Sequence, residues 1–314
     1  RIRTTSHKPA RLPRLLDTLA SIFRWRNEVD LVIHQVFSGM AFGVTDAASV
    51  LCEILNLRQL FVLHGGALPQ FASRHPRWAG RVLQRADAIV TPSAYLARVF
   101  GPLAKTPEDI RVIPNILAIE EYPFRLRSSL RPRLLWMRTF HDVYHPELAI
   151  RVLAELRESH PGAMLTMAGQ EKGLGARMDR LTGELGLGDH VHFPGYLGLE
   201  EKRREFDRHD IFLNTSRIDN MPVSVLEAGA FGLPVVATRV GGIPDLLEHE
   251  RTGLLVPDGD VGAMAAAVRR LLVDPALGRR LSAAGRALAE QSGWEMIMPQ
   301  WEALIEEVIN ARSA

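Results

Sequence analysis

Short, mostly apolar runs recur at 31–36, 60–63, 88–91 and 110–113, and again at 133–137, 164–168, 191–193, 211–214 and 234–238. Rich in Val, Ile and Leu and with little polar alternation, they predict strands buried on both faces, as in parallel sheets. Between them apolar residues fall at helical spacing, over 42–55, 78–85, 93–100, onward from Pro146, then 174–185, 222–231, 261–272, 277–290 and 294–309. In one such segment Leu174, Met178, Leu181 and Leu185 share a face, and Ser93 stands where a helix cap is needed. Alternating strand and helix predicts an α/β chain with doubly wound parallel sheets, whose ligands gather beyond the carboxyl ends of the strands.

The periodicity lapses through 120–131, after the turn Pro114-Asn115, and 114–132 reads as a linker. A chain of 314 residues accommodates two such domains, expected at 1–123 and 124–293. Ahead of the first strand, which is not reached until about Asp30, Leu15, Leu16, Leu19, Ile22 and Phe23 lie at helical spacing among arginines, with Asp17 the one acid. That stripe suits either an ordinary helix packed on the sheet or a basic amphipathic helix lying on an anionic membrane surface.

Composition narrows the function classes. The formal net charge is +2, and no Lys/Arg block is interleaved with aromatics, so nucleic acid is not an expected partner. Cys52 is the single cysteine, which excludes an internal disulfide and suits a reducing compartment. No run approaches the roughly 20 apolar residues of a membrane span and no signal-peptide pattern opens the chain. The expectation is a cytoplasmic protein. His and acidic residues lack metal-ligand spacing, so no metal site is expected.

The densest chemistry lies in 214–242, which reads as strand end, loop, helix, turn, strand and glycine loop. Pro222 is suited to start the helix and Gly232 to stop it. Asp219 in the loop and Glu227 in the helix have seven residues between them. The amino end of that helix offers unpaired N–H groups and partial positive charge, a seat for phosphate. An acid beside such a seat suits a sugar diol. Glu227 is therefore expected to accept hydrogen bonds from a ribose, and Asp219 to hold hydroxyls of a second sugar.

The stretch DNMPVSVLEAGAFGLPVVATRVGGIPDLL at 219–247, continued by TGLLVP at 252–257, resembles the donor-site signature of the retaining, family 4 type glycosyltransferases (glycosyl transferases group 1) of the GT-B fold. Their pattern is Glu, seven residues, Glu, then Ala and a Gly-Leu-Pro-Val strand. Here the first acid is Asp219, roughly 1.5 Å shorter than Glu, and Asn220 stands where glycine is usual. Asn is the non-glycine residue that best tolerates a left-handed backbone.

The resemblance implies two Rossmann-like parallel-sheet domains facing a cleft, the first lacking its opening strand and completed by the final helix, 294–314, with Trp294 and Trp301 as anchors. It implies transfer of a sugar from a nucleotide-diphosphate donor, UDP- or GDP-linked, to an acceptor hydroxyl with retention, and no other cofactor. The acceptor class is a saccharide, a lipid-linked or a small molecule, the lipid-linked case fitting a peripheral membrane contact. Arg138, at a strand end, would grip the diphosphate. The lysine expected five residues later is replaced by Val143, and Lys172 or His145 could supply the missing charge, Lys172 ranking higher. Asn220, Met221, Pro222 and Val223 would meet the donor through the loop and helix start, and Tyr196 would reach the base.

Similar chains carry a His where His64 precedes Gly65-Gly66 at a strand end; it would position the substrates or stabilise positive charge as the bond breaks. Gly241-Gly242 would let the chain pass close to the donor. The alternatives are a non-catalytic or truncated nucleotide-sugar-binding protein and a sugar-nucleotide epimerase on the same fold.

Overall fold

Every strand pairing in the computed structural model, which describes residues 2–106 and 110–311, is parallel. Contacts divide the chain into one unit of Arg1–Pro114 with Met298–Ala314 and another of Asn115–Ile297.

In the first unit β1 (Leu31–Val36), β2 (Arg58–Leu63), β3 (Ala88–Thr91) and β4 (Ile110–Val112) lie side by side in chain order. The helices are α1 (Arg11–Trp25), α2 (Met40–Ile54), α3 (Leu68–Arg74), α4 (Pro76–Leu83) and α5 (Ala94–Phe100). The core joins Phe61, Leu63 and Ile89 of the sheet to Phe42, Leu83 and Phe100. A smaller cluster of Ile22, Ala48 and Cys52, with Leu19 against it, fastens α1 to α2. Helix α1 thus packs by one half of its apolar stripe, while Leu12, Leu16 and Phe23 stay exposed. Ser93 caps α5, its hydroxyl accepting from Leu96 N–H at 3.3 Å.

The second unit holds β5 (Arg133–Met137), α6 (Pro146–Arg157), β6 (Met164–Ala168), α7 (Gly175–Glu184), β7 (Val191–Gly195), α8 (Leu199–Arg208), β8 (Ile211–Asn214), α9 (Val223–Ala230), β9 (Val235–Thr238), α10 (Ile243–Leu246), β10 (Leu254–Val256), α11 (Val261–Val273) and α12 (Pro275–Glu290). Its strand order is β10-β9-β8-β5-β6-β7. The chain leaves β5 toward β6 and β7, then returns to the other side of β5 with β8. Such a reversal opens a crevice at the carboxyl ends of the two central strands, the usual seat of a ligand.

The structure departs from expectation at three points. The stretch 115–132 is no free linker: Leu117 and Tyr122 are buried in the core of the second unit, and the Arg127 guanidinium, 2% exposed, donates to the carbonyls of Phe231 (2.6 Å) and Phe206 (2.8 Å). Helices α3 and α8 were not predicted; α8 reads LEEKRREFDR and buries only Phe206, so it has no apolar stripe to find. In α13 (Trp294–Asn310) Trp294 is exposed, whereas Ile297, Leu304 and Val308 are buried. These three share a face at spacings of seven and four, so branched aliphatics rather than tryptophans anchor that helix.

Candidate functional site

Strand β5 delivers Arg138 one residue past its end, and the loop after β8 delivers Asp219, the two strands flanking the switch point. Arg138 Nη2 donates to Asp219 Oδ2 at 2.6 Å, and the Tyr144 ring lies 4.1 Å from the guanidinium carbon. The ring is itself fixed from below. Trp136 Nε1–H donates to Thr215 Oγ1 (2.8 Å), whose hydroxyl donates to the Tyr144 carbonyl (2.7 Å). Arg138 therefore has one edge bonded and one face covered, and it reaches the cavity preorganised. An arginine has five donors, so the others remain for an anion; its buried Nε has no protein partner.

Asp219 is 7% exposed and is satisfied by the protein. Oδ2 accepts from Arg138 and from the Ser216 hydroxyl (3.1 Å), and Oδ1 from the Asn220 N–H (2.9 Å). Burial pushes its carboxyl above the ordinary value, opposed by the Arg138 charge and these hydrogen bonds. Asn220 is not in the left-handed region. That conformation falls to Gly241, at φ +53, in the turn facing it. A Cβ on Gly241 would meet the Asp219 carbonyl at 2.0 Å, and one on Gly242 the Asn220 carbonyl at 2.1 Å. The two glycines thus let the chain press on the Asp219-Asn220 backbone.

Helix α9 begins at Val223, one position later than expected, with Pro222 at the N-cap and no side-chain cap. Its first N–H groups accordingly lack intrahelical partners, and Ser224 Oγ is buried without a hydrogen bond. Glu227, on the next turn and 5% exposed, accepts on Oε1 from Lys202 Nζ at 2.5 Å and from the Tyr122 hydroxyl at 3.2 Å. Burial, then the Glu227 charge and hydrogen bond, push the Tyr122 phenol above its usual range.

Arg138, Tyr144, Lys202, the start of α9 and Glu227 border one cavity of about 260 Å³. Of the residues singled out beforehand, Arg138, Tyr196, Val223 and Glu227 line it. Lys172, Asp219, Asn220, Met221 and Pro222 are not among its lining residues. Tyr196 is 79% exposed at the rim. Lys172 is exposed on the loop after β6, and His145, left-handed at the start of α6, has its Nε2 bonded by Arg217 at 3.0 Å. Lys202, Ser224 and Tyr144 line the cavity without having been anticipated. Only Gly198 followed at the third position by Glu201, whose carboxylate accepts the Gly198 N–H at 2.8 Å, hinted at the helix that carries Lys202.

In the first unit His64 follows β2 directly, and its N–H bonds the Val36 carbonyl at 2.9 Å. Its ring stacks on Phe37 with centroids 5.1 Å apart, and Nε2 is bonded to Gln35 Oε1. Because an amide oxygen only accepts, Nε2 carries the proton and Nδ1 is left as an acceptor. Burial lowers the His64 pKa, which favours this neutral form. Among the described residues no group of three or more His, Cys, Asp or Glu is placed to hold a metal ion, and no helix is long and apolar enough to cross a membrane.

Residues 119–288 match the family described as Glycosyl transferases group 1, and residues 2–121 the one described as Glycosyltransferase Family 4. A glycogen synthase of Mycobacterium tuberculosis is 31% identical over 282 residues, covering 81% of this chain and 64% of that protein. A GDP-mannose-dependent alpha-(1-6)-phosphatidylinositol monomannoside mannosyltransferase of the same organism is 28% identical over 70% of this chain and 60% of its own length. The chain thus spans less than two thirds of these curated relatives. Among solved structures, Anabaena HepE in complex with UDP superposes with a TM-score of 0.79 at 19% identity, covering 94% of this chain and 82% of that one. Sucrose-phosphate synthase from Thermosynechococcus elongatus does so with 0.78 at 21%, covering 95% and 79%. The fold is GT-B, built from two parallel-sheet α/β units.

Proposed function

We propose, since the chain belongs to the glycosyl transferases group 1 family, that it moves a sugar from a UDP- or GDP-linked donor to an acceptor hydroxyl with the anomeric configuration retained. The observation that carries this reading is the cavity at the β5/β8 switch point, bordered by the Arg138 guanidinium, the uncapped start of α9 and the Glu227 carboxylate. The diphosphate would lie on Arg138 and the α9 N–H groups, and the ribose hydroxyls on Glu227. Tyr196 and Val223 would border the base and donor as apolar walls.

As the bond from the anomeric carbon to the diphosphate lengthens, its electron pair stays with the phosphate oxygen. The growing charge is met by a guanidinium already locked by Asp219 and Tyr144, so little reorganisation is needed. Asp219 enters through Arg138, which its three protein hydrogen bonds support. The acceptor oxygen forms the new bond on the face the diphosphate leaves, and its hydroxyl proton passes to the departing phosphate oxygen. For His64 the role is to position substrate or steady positive charge on the sugar, and its neutral ring with a free acceptor nitrogen supports this. No metal and no further cofactor is invoked.

The acceptor is a saccharide, a lipid-linked glycan or a small molecule. A reducing, cytoplasmic location agrees with a single buried cysteine. The exposed Leu12, Leu16 and Phe23 of α1, with exposed Arg14 and Arg24 beside them, support a peripheral contact with an anionic membrane.

A thermal-shift screen of nucleotide sugars, followed by calorimetry with UDP and GDP, tests the donor site. Glu227→Ala should weaken nucleotide binding by about 2 kcal/mol, and Arg138→Ala should abolish transfer and also lower the melting temperature, because the buried Asp219 carboxylate loses its counter-charge. Unchanged affinity in the Glu227 variant would reject the ribose role. Binding without transfer or donor hydrolysis would leave a non-catalytic binder.

A further inference from the structure

Two cations border the cavity of the second unit at Arg138 and Lys202, and only the first was expected there. Lys202, on α8, rests with Nζ 2.5 Å from Glu227 Oε1, the oxygen that also accepts the Tyr122 hydroxyl. If Glu227 takes a ribose diol, as the donor-site reading above requires, two hydroxyl donors arrive at a carboxylate whose Oε1 is already doubly bonded. The hydroxyls can take the lone pairs of Oε2, or the ammonium gives way on Oε1. The Lys202 side chain is 28% exposed, so its ammonium stays partly hydrated, and once displaced it gains by finding another counter-charge. Its flexible four-carbon stem lets it turn to another anion, and the donor brings one into the same cavity.

We propose that Lys202 is the second diphosphate-binding cation of this chain, held in reserve on Glu227 until ribose hydroxyls replace it there. Three observations converge on this assignment. Val143 occupies the position of the expected phosphate lysine, and Lys172 is exposed and is not a lining residue. Ser224 Oγ, buried on the first turn of α9 and lining the cavity, has no partner, an unfilled donor beside the uncapped N–H groups where an anion would complete the set. Finally, the resting ion pair neutralises Glu227, which would otherwise repel an incoming diphosphate.

The proposal rests on the nucleotide reading, and calorimetry on the full chain separates the two. UDP, GDP, uridine and guanosine are titrated into wild type, Lys202→Met and Lys202→Gln, the glutamine keeping a hydrogen-bond donor for Glu227 without charge. Both variants should lose about tenfold or more in affinity for the nucleoside diphosphate, while nucleoside affinity holds or improves because Glu227 is freed. Lys202→Arg should retain most of the diphosphate affinity. Equal losses for nucleoside and diphosphate would reduce Lys202 to a support for Glu227 and overturn the proposal, as would no loss for either. Wild type binding neither diphosphate would overturn the nucleotide reading itself, and this proposal with it.

Discussion

Helix α9 carries Glu227 and leans on α12 where two glycines meet, and a single added methyl tests how closely that contact sets the site. A Cβ on Gly229 would lie 2.6 Å from the Gly285 carbonyl oxygen, 3.0 Å from its carbon and 3.3 Å from Gly285 Cα. The first distance falls roughly 0.8 Å inside ordinary van der Waals contact, and the obstacle is backbone, which has no rotamer to escape into. A Cβ on Gly285 meets only Gly229 Cα at 3.2 Å and its oxygen at 4.0 Å. Overpacking of the first kind costs about 1–3 kcal/mol, and the helix preference of alanine over glycine returns at most about 1 kcal/mol. Gly229→Ala should therefore lower unfolding free energy by about 1–2 kcal/mol, whereas Gly285→Ala should stay within about 1 kcal/mol of wild type. Since Glu227 is two residues from Gly229, the same shift should weaken nucleotide binding in the first variant far more than in the second. Urea unfolding monitored by circular dichroism gives the stabilities and calorimetry the affinities. A Gly229→Ala protein as stable as Gly285→Ala, with unaltered nucleotide affinity, would refute this account of the helix pair.

Two further outcomes concern the first unit. His34 is 7% exposed, and burial depresses its pKa to about 4 from 6.5. The unfolded chain therefore binds the proton first, so stability is full above about pH 6.5 and falls by roughly 3 kcal/mol as pH drops to about 4. His34→Gln, which cannot titrate, should flatten that limb in urea midpoints taken across the range, and an unchanged slope would exclude His34 as its source. Cys52 is fully buried between α1 and α2, with burial pushing its thiol up to about 12. It should resist a thiol reagent in the native protein and react as fast as the unit opens, and immediate stoichiometric labelling would show the α1–α2 contact to be absent.

Strands were the most legible part of the fold because burial on both faces leaves a plain apolar run. The runs at 88–91, 133–137, 164–168 and 211–214 coincide with β3, β5, β6 and β8. Helices were found where one face is apolar, as in α6, α11 and α12, or where nearly the whole helix is buried, as in α9, and missed where neither holds. Helix α8 buries Phe206 alone, and polar ties rather than a stripe hold it, Lys202 to Glu227 and Arg203 to the Glu121 carbonyl. Size misled in α13: tryptophan has the most surface to bury, but the face that packs is set by spacing, and Ile297, Leu304 and Val308 occupy it.

The site was legible residue by residue but not in its pairings. Strand-end placement was enough to choose Arg138, and the amino end of a helix enough to choose Glu227, since both follow from local geometry. Their partners lie 81 and 25 residues away, a relation that no periodicity records. Yet charge balance constrains them: the cations Arg138 and Lys202 at the cavity need counter-charges, and neighbouring acids supply them. Asp219 and Glu227 each meet that need, one on Arg138 and one on Lys202. The difference between them is consequential. Asp219 is satisfied by the protein and is not a lining residue, whereas Glu227 lines the cavity with its Oε1 taken by Lys202 and Tyr122.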